Sequence, residues 1–127
     1  MELTNAELEV MQAVWRLGEC SAPQVHKAIA AEREVAYSTV KTLLDRLERK
    51  GAVGRTRQDG RTIYLNARVA PEAIEASLLE RLVNGVFGGD RRPMLTTLLK
   101  DEALTEDDLA YIEALLEERK QGSKIDD

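Results

Sequence analysis

Apolar residues recur at helical spacing through residues 4–50, and the pattern predicts three helices in that stretch. The first helix begins at the capping box Thr4-Asn5-Ala6-Glu7 and ends at Gly18, and its apolar face includes Leu8, Met11 and Trp15. The second helix begins at Ser21-Ala22-Pro23-Gln24, where an early proline costs no hydrogen bond, and it runs to about Ala31.

The third helix is predicted from about Tyr37 to Lys50, with Gly51 as its stop signal. Its buried stripe follows the i, i+3, i+4, i+7 rule and consists of Val40, Leu43, Leu44 and Leu47. At about 100° per residue, the opposite side presents hydroxyl and charged groups. These are Ser38, Thr42, Asp45 and Arg49, with Thr39, Lys41 and Arg46 toward the edges of that face.

Residues 53–66 predict a short β-hairpin. The dipeptide Asp59-Gly60 separates two strand-like stretches and is typical of a two-residue type I′ turn, which needs positive φ at both positions. Ile63 and Leu65 alternate with polar neighbours, so we expect them to point inward. Three helices followed by a two-stranded ribbon indicate a mainly α protein with a small β wing, which is a winged helix-turn-helix domain over residues 1–70.

The pattern changes at Pro71, and residues 71–127 predict a C-terminal helical arm as a second domain. Apolar residues there spread around more than half of the first helix, and such a helix must be buried on most sides. A domain this short has little to cover it, so we expect a second copy of the chain to do so. The alternative is that these helices pack on their own domain. The residues assigned to dimerisation are Ile74, Leu78, Leu82, Val86, Leu95, Leu98, Leu109, Ile112 and Leu116.

Net charge alone argues against a nucleic-acid partner, because the chain carries −5. The distribution of charge reverses that argument. Residues 35–68 hold eight Lys and Arg against three Asp and Glu, whereas the segments on both sides of them are acidic. A basic patch between two acidic segments is what a phosphate backbone would meet.

Composition excludes several classes of protein. Apolar residues make up 43% of the chain and charged residues 32%, which is typical of a folded domain. No apolar run approaches the roughly 20 residues of a membrane span, and the acidic N-terminus lacks the basic start of a signal peptide. We therefore expect a cytoplasmic protein.

Metal and catalytic chemistry have few candidates. Cys20 and His26 are the only soft ligands in the chain, and a structural zinc site needs four, so we expect no metal and no cofactor. A redox role of Cys20 is a minor hypothesis that assumes partial exposure. The chain has no phosphate-binding glycine loop, nucleophile elbow or metalloprotease motif, so we predict that it is not an enzyme.

The third helix and the ribbon together predict DNA binding. A recognition helix presents its N-terminal residues to base edges, and Ser and Thr side chains can contact those edges. Arginines on the last turns of the helix and on the wing are placed for phosphates. The predicted DNA-binding residues are Ser38, Thr39, Lys41, Thr42, Arg46, Arg49, Arg55, Arg57 and Arg61. The alternative is a winged-helix assembly module whose basic patch faces an acidic protein.

Three stretches of the chain resemble the penicillinase-repressor group, the BlaI/MecI/CopY family of bacterial transcription regulators. They are "LTNAELEVMQAVW", "STVKTLLDRLERKGAV" and the arm "SLLERLVNGVFGG" followed by "LTEDDLAYIEALLEE". The resemblance implies a homodimer that binds palindromic operator DNA and represses genes of β-lactam resistance or related stress responses. It also implies recognition-helix contacts by Thr39, Lys41, Thr42 and Arg46 and backbone contacts by Arg57 and Arg61.

The sequence departs from this family in two places. Antibiotic-responsive members are cut at an Asn-Phe bond in the arm through a sensor protease, which the resemblance makes a candidate partner. Alignment on Leu104-Thr105-Glu106-Asp107-Asp108 puts Thr97 and Leu98 at the cleavage region instead. Copper-responsive members carry cysteine pairs near the C-terminus, and this chain has none there. The signal that releases the protein from DNA stays open.

Overall fold

A computed structural model of the protein describes residues 1–126, and it describes side chains through residue 122. The chain divides into two compact units, Met1–Glu80 and Arg81–Asp127. The elements of the described chain, in order, are α1 (Asn5–Leu17), β1 (Cys20–Ser21), α2 (Ala22–Ala30), α3 (Tyr37–Lys50), β2 (Val53–Asp59), β3 (Thr62–Ala67), α4 (Pro71–Gly85), α5 (Arg91–Leu99) and α6 (Glu106–Asp126). None of these helices combines the length and apolarity that a membrane span needs.

Both predicted capping boxes are present at the starts of α1 and α2. The Glu7 N–H donates to Thr4 Oγ1 at 3.1 Å, and the Thr4 N–H donates to Glu7 Oε1 at 2.9 Å. Ser21 and Gln24 exchange the same two bonds at the start of α2. These bonds satisfy donors that have no partner inside the helix, so the local sequence is sufficient to fix where both helices begin.

The third helix has the predicted bounds and the predicted buried stripe. Gly51 ends it in the left-handed region, with φ of 82°, which a residue without a Cβ adopts at little cost. The stripe is at most 6% exposed and consists of Val40, Leu43, Leu44 and Leu47. It packs with Val10, Met11, Val14 and Val25 in one core. The three helices of the predicted helix-turn-helix therefore share a single closed interior.

The sheet has one more strand than the sequence predicts. Cys20 and Ser21 form β1, which pairs antiparallel with β3, so the strand order is β1-β3-β2. Two residues are too few to show an alternating pattern, which is why this strand was not foreseen. The pairing of Cys20 with Leu65 ties the base of the wing to the turn between α1 and α2.

The predicted type I′ turn at Asp59-Gly60 is wrong. Asp59 pairs with Thr62 as the last residue of β2, so the two loop residues are Gly60 and Arg61. Gly60 has a φ of 61°, and no residue other than glycine has positive φ in the described chain. Positive φ at the first loop position alone is the pattern of a type II′ turn, which also suits a tight hairpin. Arg61 therefore lies at the tip of the wing.

The start of α4 belongs to the core of the first unit. Ile74 is 5% exposed and lies among the buried residues of that core, and Leu78 packs partly against it. The expectation that Ile74 forms part of a dimer face is corrected by this position, because its own chain already covers it. Trp15 strengthens the same connection by donating its Nε1–H to the Val69 carbonyl at 2.9 Å.

The second unit leaves most of its large apolar side chains in contact with solvent. Val83 is fully buried, but six of the residues assigned to dimerisation are 42–69% exposed: Leu82, Val86, Leu95, Leu98, Leu109 and Leu116. Leu99, Tyr111 and Leu115 are also exposed, although they are not among the residues assigned to dimerisation. Exposed apolar surface of this kind is typical of interaction sites.

Candidate nucleic-acid interface

The solvent-facing side of α3 carries the side chains that the sequence assigns to DNA contact. All six of them are exposed: Ser38, Thr39, Lys41, Thr42, Arg46 and Arg49. They are held there because the other side of the helix is fixed in the core by its apolar stripe. The face is therefore presented by a rigid element, which is what reading base edges requires.

The start of α3 differs from the starts of α1 and α2. Ala36 is its N-cap, and no side chain accepts a hydrogen bond from the first turn. The first N–H groups of a helix have no partner inside it, and they attract anions. The uncapped start therefore places backbone donors beside Ser38, on the face that the sequence assigns to DNA.

The cations of α3 are not equally available. Lys41 Nζ donates to Asp45 Oδ1 at 2.6 Å, one helical turn away. Arg46 and Arg49 make no hydrogen bond or ion pair with any residue whose side chain the structure describes. These two guanidinium groups are the cations of α3 that can meet a phosphate without first leaving a carboxylate.

A β-bulge divides the wing arginines between the two faces of the ribbon. The register shifts between Arg55, which pairs with Leu65, and Arg57, which pairs with Tyr64. Leu65 and Tyr64 are adjacent in β3 and therefore point to opposite faces of the ribbon. Each arginine shares the face of the residue it pairs with, so Arg55 and Arg57 also point to opposite faces. Without the bulge, residues two apart would share one face, and the sequence pattern alone would have placed them together.

Each of these two arginines is held by a carboxylate of its own unit. Arg55 Nε donates to Glu48 Oε2 on α3 at 2.9 Å, and Arg57 Nε donates to Glu19 Oε1 at 2.8 Å. The Arg57 hydrogen bond is the main reason that the pKa of Glu19 lies below its ordinary value. Arg57 also lies over the Tyr64 ring, 3.8 Å from its centroid. The wing cations are therefore positioned and partly neutralised before any partner arrives.

Arg68 braces the ribbon, a role that the sequence reasoning did not assign to it. Its Nη2 donates to the Arg55 carbonyl at 3.0 Å, so the guanidinium reaches across to β2. A Cβ at Gly54 would collide with this guanidinium. A glycine inside a strand is a signal of such a close approach, and it could have pointed to this contact.

A buried carboxylate anchors the C-terminal end of α3. Glu7 is 1% exposed, and Lys50 Nζ donates to its Oε1 at 2.7 Å and to the Glu2 carbonyl at 2.9 Å. Burial raises the pKa of Glu7, but the hydrogen bonds from Lys50 and Thr4 together lower it by more than burial raises it. The pKa of Glu7 therefore lies below its ordinary value. The ion pair joins the last residue of α3 to the first turn of α1.

Cys20 and His26 belong to no group of three or more metal-ligand side chains in the part of the chain that the structure describes. Cys20 is 1% exposed, and burial raises the pKa of its thiol, so the partial exposure assumed for a redox role is wrong. His26 donates through Nε2 to the Val35 carbonyl at 2.8 Å and meets the Tyr37 ring edge-on. The histidine thus closes the turn between α2 and α3.

Comparison with known proteins places this geometry in a family. The family model described as "Penicillinase repressor" matches residues 3–118. The chain belongs to the penicillinase repressor family. It is 25% identical to the methicillin resistance regulatory protein MecI of Mammaliicoccus sciuri, over 93% of this chain and 95% of that protein. It is 24% identical to the penicillinase repressor of Staphylococcus aureus, over 91% of both chains.

A solved structure supports the same assignment for the first unit. The DNA-binding domain of the repressor BlaI is 27% identical and superposes with a TM-score of 0.50, covering 55% of this chain and 84% of that one. The predicted winged-helix fold is confirmed. As the sequence predicts, this member of the penicillinase repressor family is a DNA-binding transcriptional repressor and not an enzyme.

Proposed function

We propose that the chain represses transcription as a homodimer that binds inverted-repeat operators through α3 and the wing. One observation carries the proposal: the exposed side of α3 holds only hydroxyl and charged groups, whereas its other side closes an apolar core. Such a face does not pack inside its own unit. Its chemistry suits a duplex, because hydroxyls can contact base edges and guanidinium groups can hold phosphates.

The residues of the interface divide by role. Ser38, Thr39 and Thr42 contact bases near the start of α3, and the Thr42 methyl can touch a thymine methyl. The cations fix the register of the protein on the phosphate backbone. They are Lys41, Arg46 and Arg49 on α3, and Arg55, Arg57 and Arg61 on the wing.

Pairing of two chains is supported by the exposed leucines of the second unit. The proposed pairing face leaves out Ile74, which is buried in the first unit, and Leu78, which packs partly against the same core. It consists of the other predicted residues: Leu82, Val86, Leu95, Leu98, Leu109, Ile112 and Leu116. Burying such side chains contributes about 25 cal/mol per Å² of apolar surface removed from water. A two-fold dimer would address two half-sites about 34 Å apart, or a multiple of that spacing.

The relatives' names support a proposal for the regulated genes. MecI is named for methicillin resistance and the Staphylococcus aureus relative for penicillinase. We therefore infer that the operators control β-lactam resistance or related stress genes. A sensor protease would find Thr97 and Leu98 inside the helix α5, where Thr97 Oγ1 donates to the Pro93 carbonyl at 2.9 Å. Cutting there requires that turn to unwind first.

Selection from random duplexes tests the proposal against the rival function, a winged helix that binds an acidic protein. The full chain is incubated with a duplex library, and bound sequences are amplified and read. We expect an inverted repeat with half-sites one helical turn apart or a multiple of it. If no motif is enriched while the chain still folds, the assembly module becomes the better account.

Arg57→Ala tests the assignment of the wing. We expect weaker binding to all sequences alike and a salt slope that is shallower by about 1, because one phosphate contact is lost. The paired variant Thr42→Val keeps the side-chain shape, and it should instead relax the sequence preference at one position. Fluorescence anisotropy at several salt concentrations measures both. An unchanged salt slope for Arg57→Ala would remove that residue from the interface.

A further inference from the structure

A cavity lies between α3 and the wing, next to the start of α2. It has a volume of about 180 Å³, and its lining includes the apolar side chains of Ala22, Pro23, Leu44, Ile63 and Leu65. An apolar cavity of about 150 Å³ is large enough to hold benzene. This space therefore fits a molecule with one six-membered ring.

The charged residues around the cavity leave one positive charge without a partner. Lys41 is paired with Asp45 at 2.6 Å, and Arg55 with Glu48 at 2.9 Å, and all four line the cavity. Arg61, at the tip of the wing, also lines it and makes no ion pair with any residue whose side chain is described. Three cations against two carboxylates favour a ligand with a single negative charge.

The cavity also occupies a place that matters for DNA binding. Lys41, Arg55 and Arg61 line it, and each is among the cations proposed to hold the phosphate backbone. With α3 in the major groove and the wing on the backbone, a phosphate strand must cross the space between them. An anion seated there would take up the charge of Arg61 and repel that strand.

We propose that this cavity is an effector site for a small aromatic monoanion, and that its occupation competes with duplex binding. The competition rests on the proposed DNA interface, whereas the ligand site rests on the cavity alone. The ring lies against Leu44 and Ile63, and the anionic group pairs with Arg61. Such a site gives the repressor a way to release DNA that needs no cutting of the arm.

Titration of the isotope-labelled full chain with benzoate, followed by amide chemical shifts, tests the ligand site without DNA. For a ligand of this size we expect a dissociation constant on the order of 1 mM. The shifts should saturate and centre on residues 22, 44 and 63. Benzyl alcohol, which has the ring without the charge, should bind about tenfold more weakly. Equal binding of benzyl alcohol, or benzoate shifts that do not saturate or centre elsewhere, would overturn the site.

Three variants locate the groups responsible. Arg61→Gln should weaken benzoate binding about tenfold, and the matched control Arg16→Gln, an exposed cation on α1, should leave it unchanged. Ile63→Phe fills the cavity with a residue that strands accept, so it should abolish benzoate binding while the spectrum of the folded chain is kept. Wild-type affinity for benzoate in either Arg61→Gln or Ile63→Phe would contradict the assignment.

A second titration tests whether benzoate competes with duplex DNA, independently of whether the proposed DNA interface is correct. Anisotropy of a random-sequence duplex is measured in benzoate and in acetate at equal ionic strength, because salt alone weakens such binding. We expect benzoate to release more duplex than acetate from the wild type but not from Ile63→Phe. Equal release from the wild type would overturn the competition. A chain that binds benzoate at the cavity but no duplex at all would overturn the proposed function and leave the ligand site standing.

Discussion

Leucine side chains are buried in the first unit of the protein and exposed in the second. In the first unit, Leu43, Leu44 and Leu47 are at most 6% exposed and share one core with α1 and α2. In the second unit, Leu98 and Leu116 are 53% and 54% exposed. The first unit completes its own interior, so its outer face is free to be polar. The second unit leaves its leucines exposed, and under the proposed pairing its stability would depend on the second chain.

The largest expected effect is a difference in stability between replacing a buried leucine of the first unit and replacing an exposed leucine of the second. Leu47→Ala opens a cavity in a closed core and should lower the free energy of unfolding by about 2–5 kcal/mol at any protein concentration. Leu116→Ala should cost less than about 0.5 kcal/mol in dilute solution and more as the concentration rises, because pairing is what buries Leu116. Urea denaturation at two concentrations measures both. A large effect of Leu116→Ala that does not change with concentration would erase the contrast.

Removing the second unit should cost DNA binding more than folding. A chain ending at residue 80 should unfold cooperatively as a monomer. It should bind a duplex about 100-fold more weakly, because the link between two DNA-binding units is lost. Sedimentation and anisotropy measure the two properties. The full-length variant Leu98→Asp/Leu116→Asp serves as the control and should reproduce the loss. Full affinity in the shortened chain would contradict the dimer.

Acid should act on the first unit through the buried pair of Glu7 and Lys50. The folded pKa of Glu7 lies below its ordinary value, so its contribution to stability is complete above about pH 4.3 and is lost as the pH falls through the folded pKa. In Lys50→Met the ammonium group no longer lowers the pKa of Glu7. The free energy of unfolding of this variant should therefore fall less steeply as the pH decreases. Lys27→Met, an exposed lysine of α2, should follow the wild type. Urea unfolding between pH 3 and about 6 measures the slopes, and identical slopes in all three proteins would rule out the pair as their cause.

The smallest expected effect concerns the carboxylate that holds the wing. Glu19→Gln removes the negative charge that holds Arg57, whose Nε lies 2.8 Å from Glu19 Oε1, and should strengthen duplex binding about threefold with a steeper salt slope. Glu72→Gln makes the same charge change at the start of α4 and should alter binding less. Anisotropy measures both variants. Weaker binding by Glu19→Gln would mean that the ion pair shapes the wing for DNA instead of competing with it.

Local rules were sufficient for the helices of the first unit but not for its sheet. The boxes at Thr4 and Ser21 and the stop at Gly51 involve neighbours in sequence, so the order of residues is enough to place them. The two-residue strand β1 and the turn at Gly60-Arg61 depend on pairing with β3, which no local pattern encodes. A one-residue shift of the turn was the result.

The candidate site shows the same limit. Helical periodicity placed Ser38, Thr42 and Arg49 on an exposed face, as the structure has them. It could not show that Arg55 and Arg57 point to opposite faces, because the bulge between them is set by cross-strand register. Nor could it show that Glu19, 38 residues away, holds Arg57. Contacts between residues distant in sequence need the folded chain.

Photo-crosslinking tests the central claim most directly. A benzophenone side chain is placed at position 42, 57 or 116 of the full chain, and each protein is irradiated with labelled operator duplex. We expect DNA adducts from positions 42 and 57, and chain-to-chain adducts from position 116. DNA adducts from position 116 in place of 42 and 57, or no adduct between chains, would contradict it.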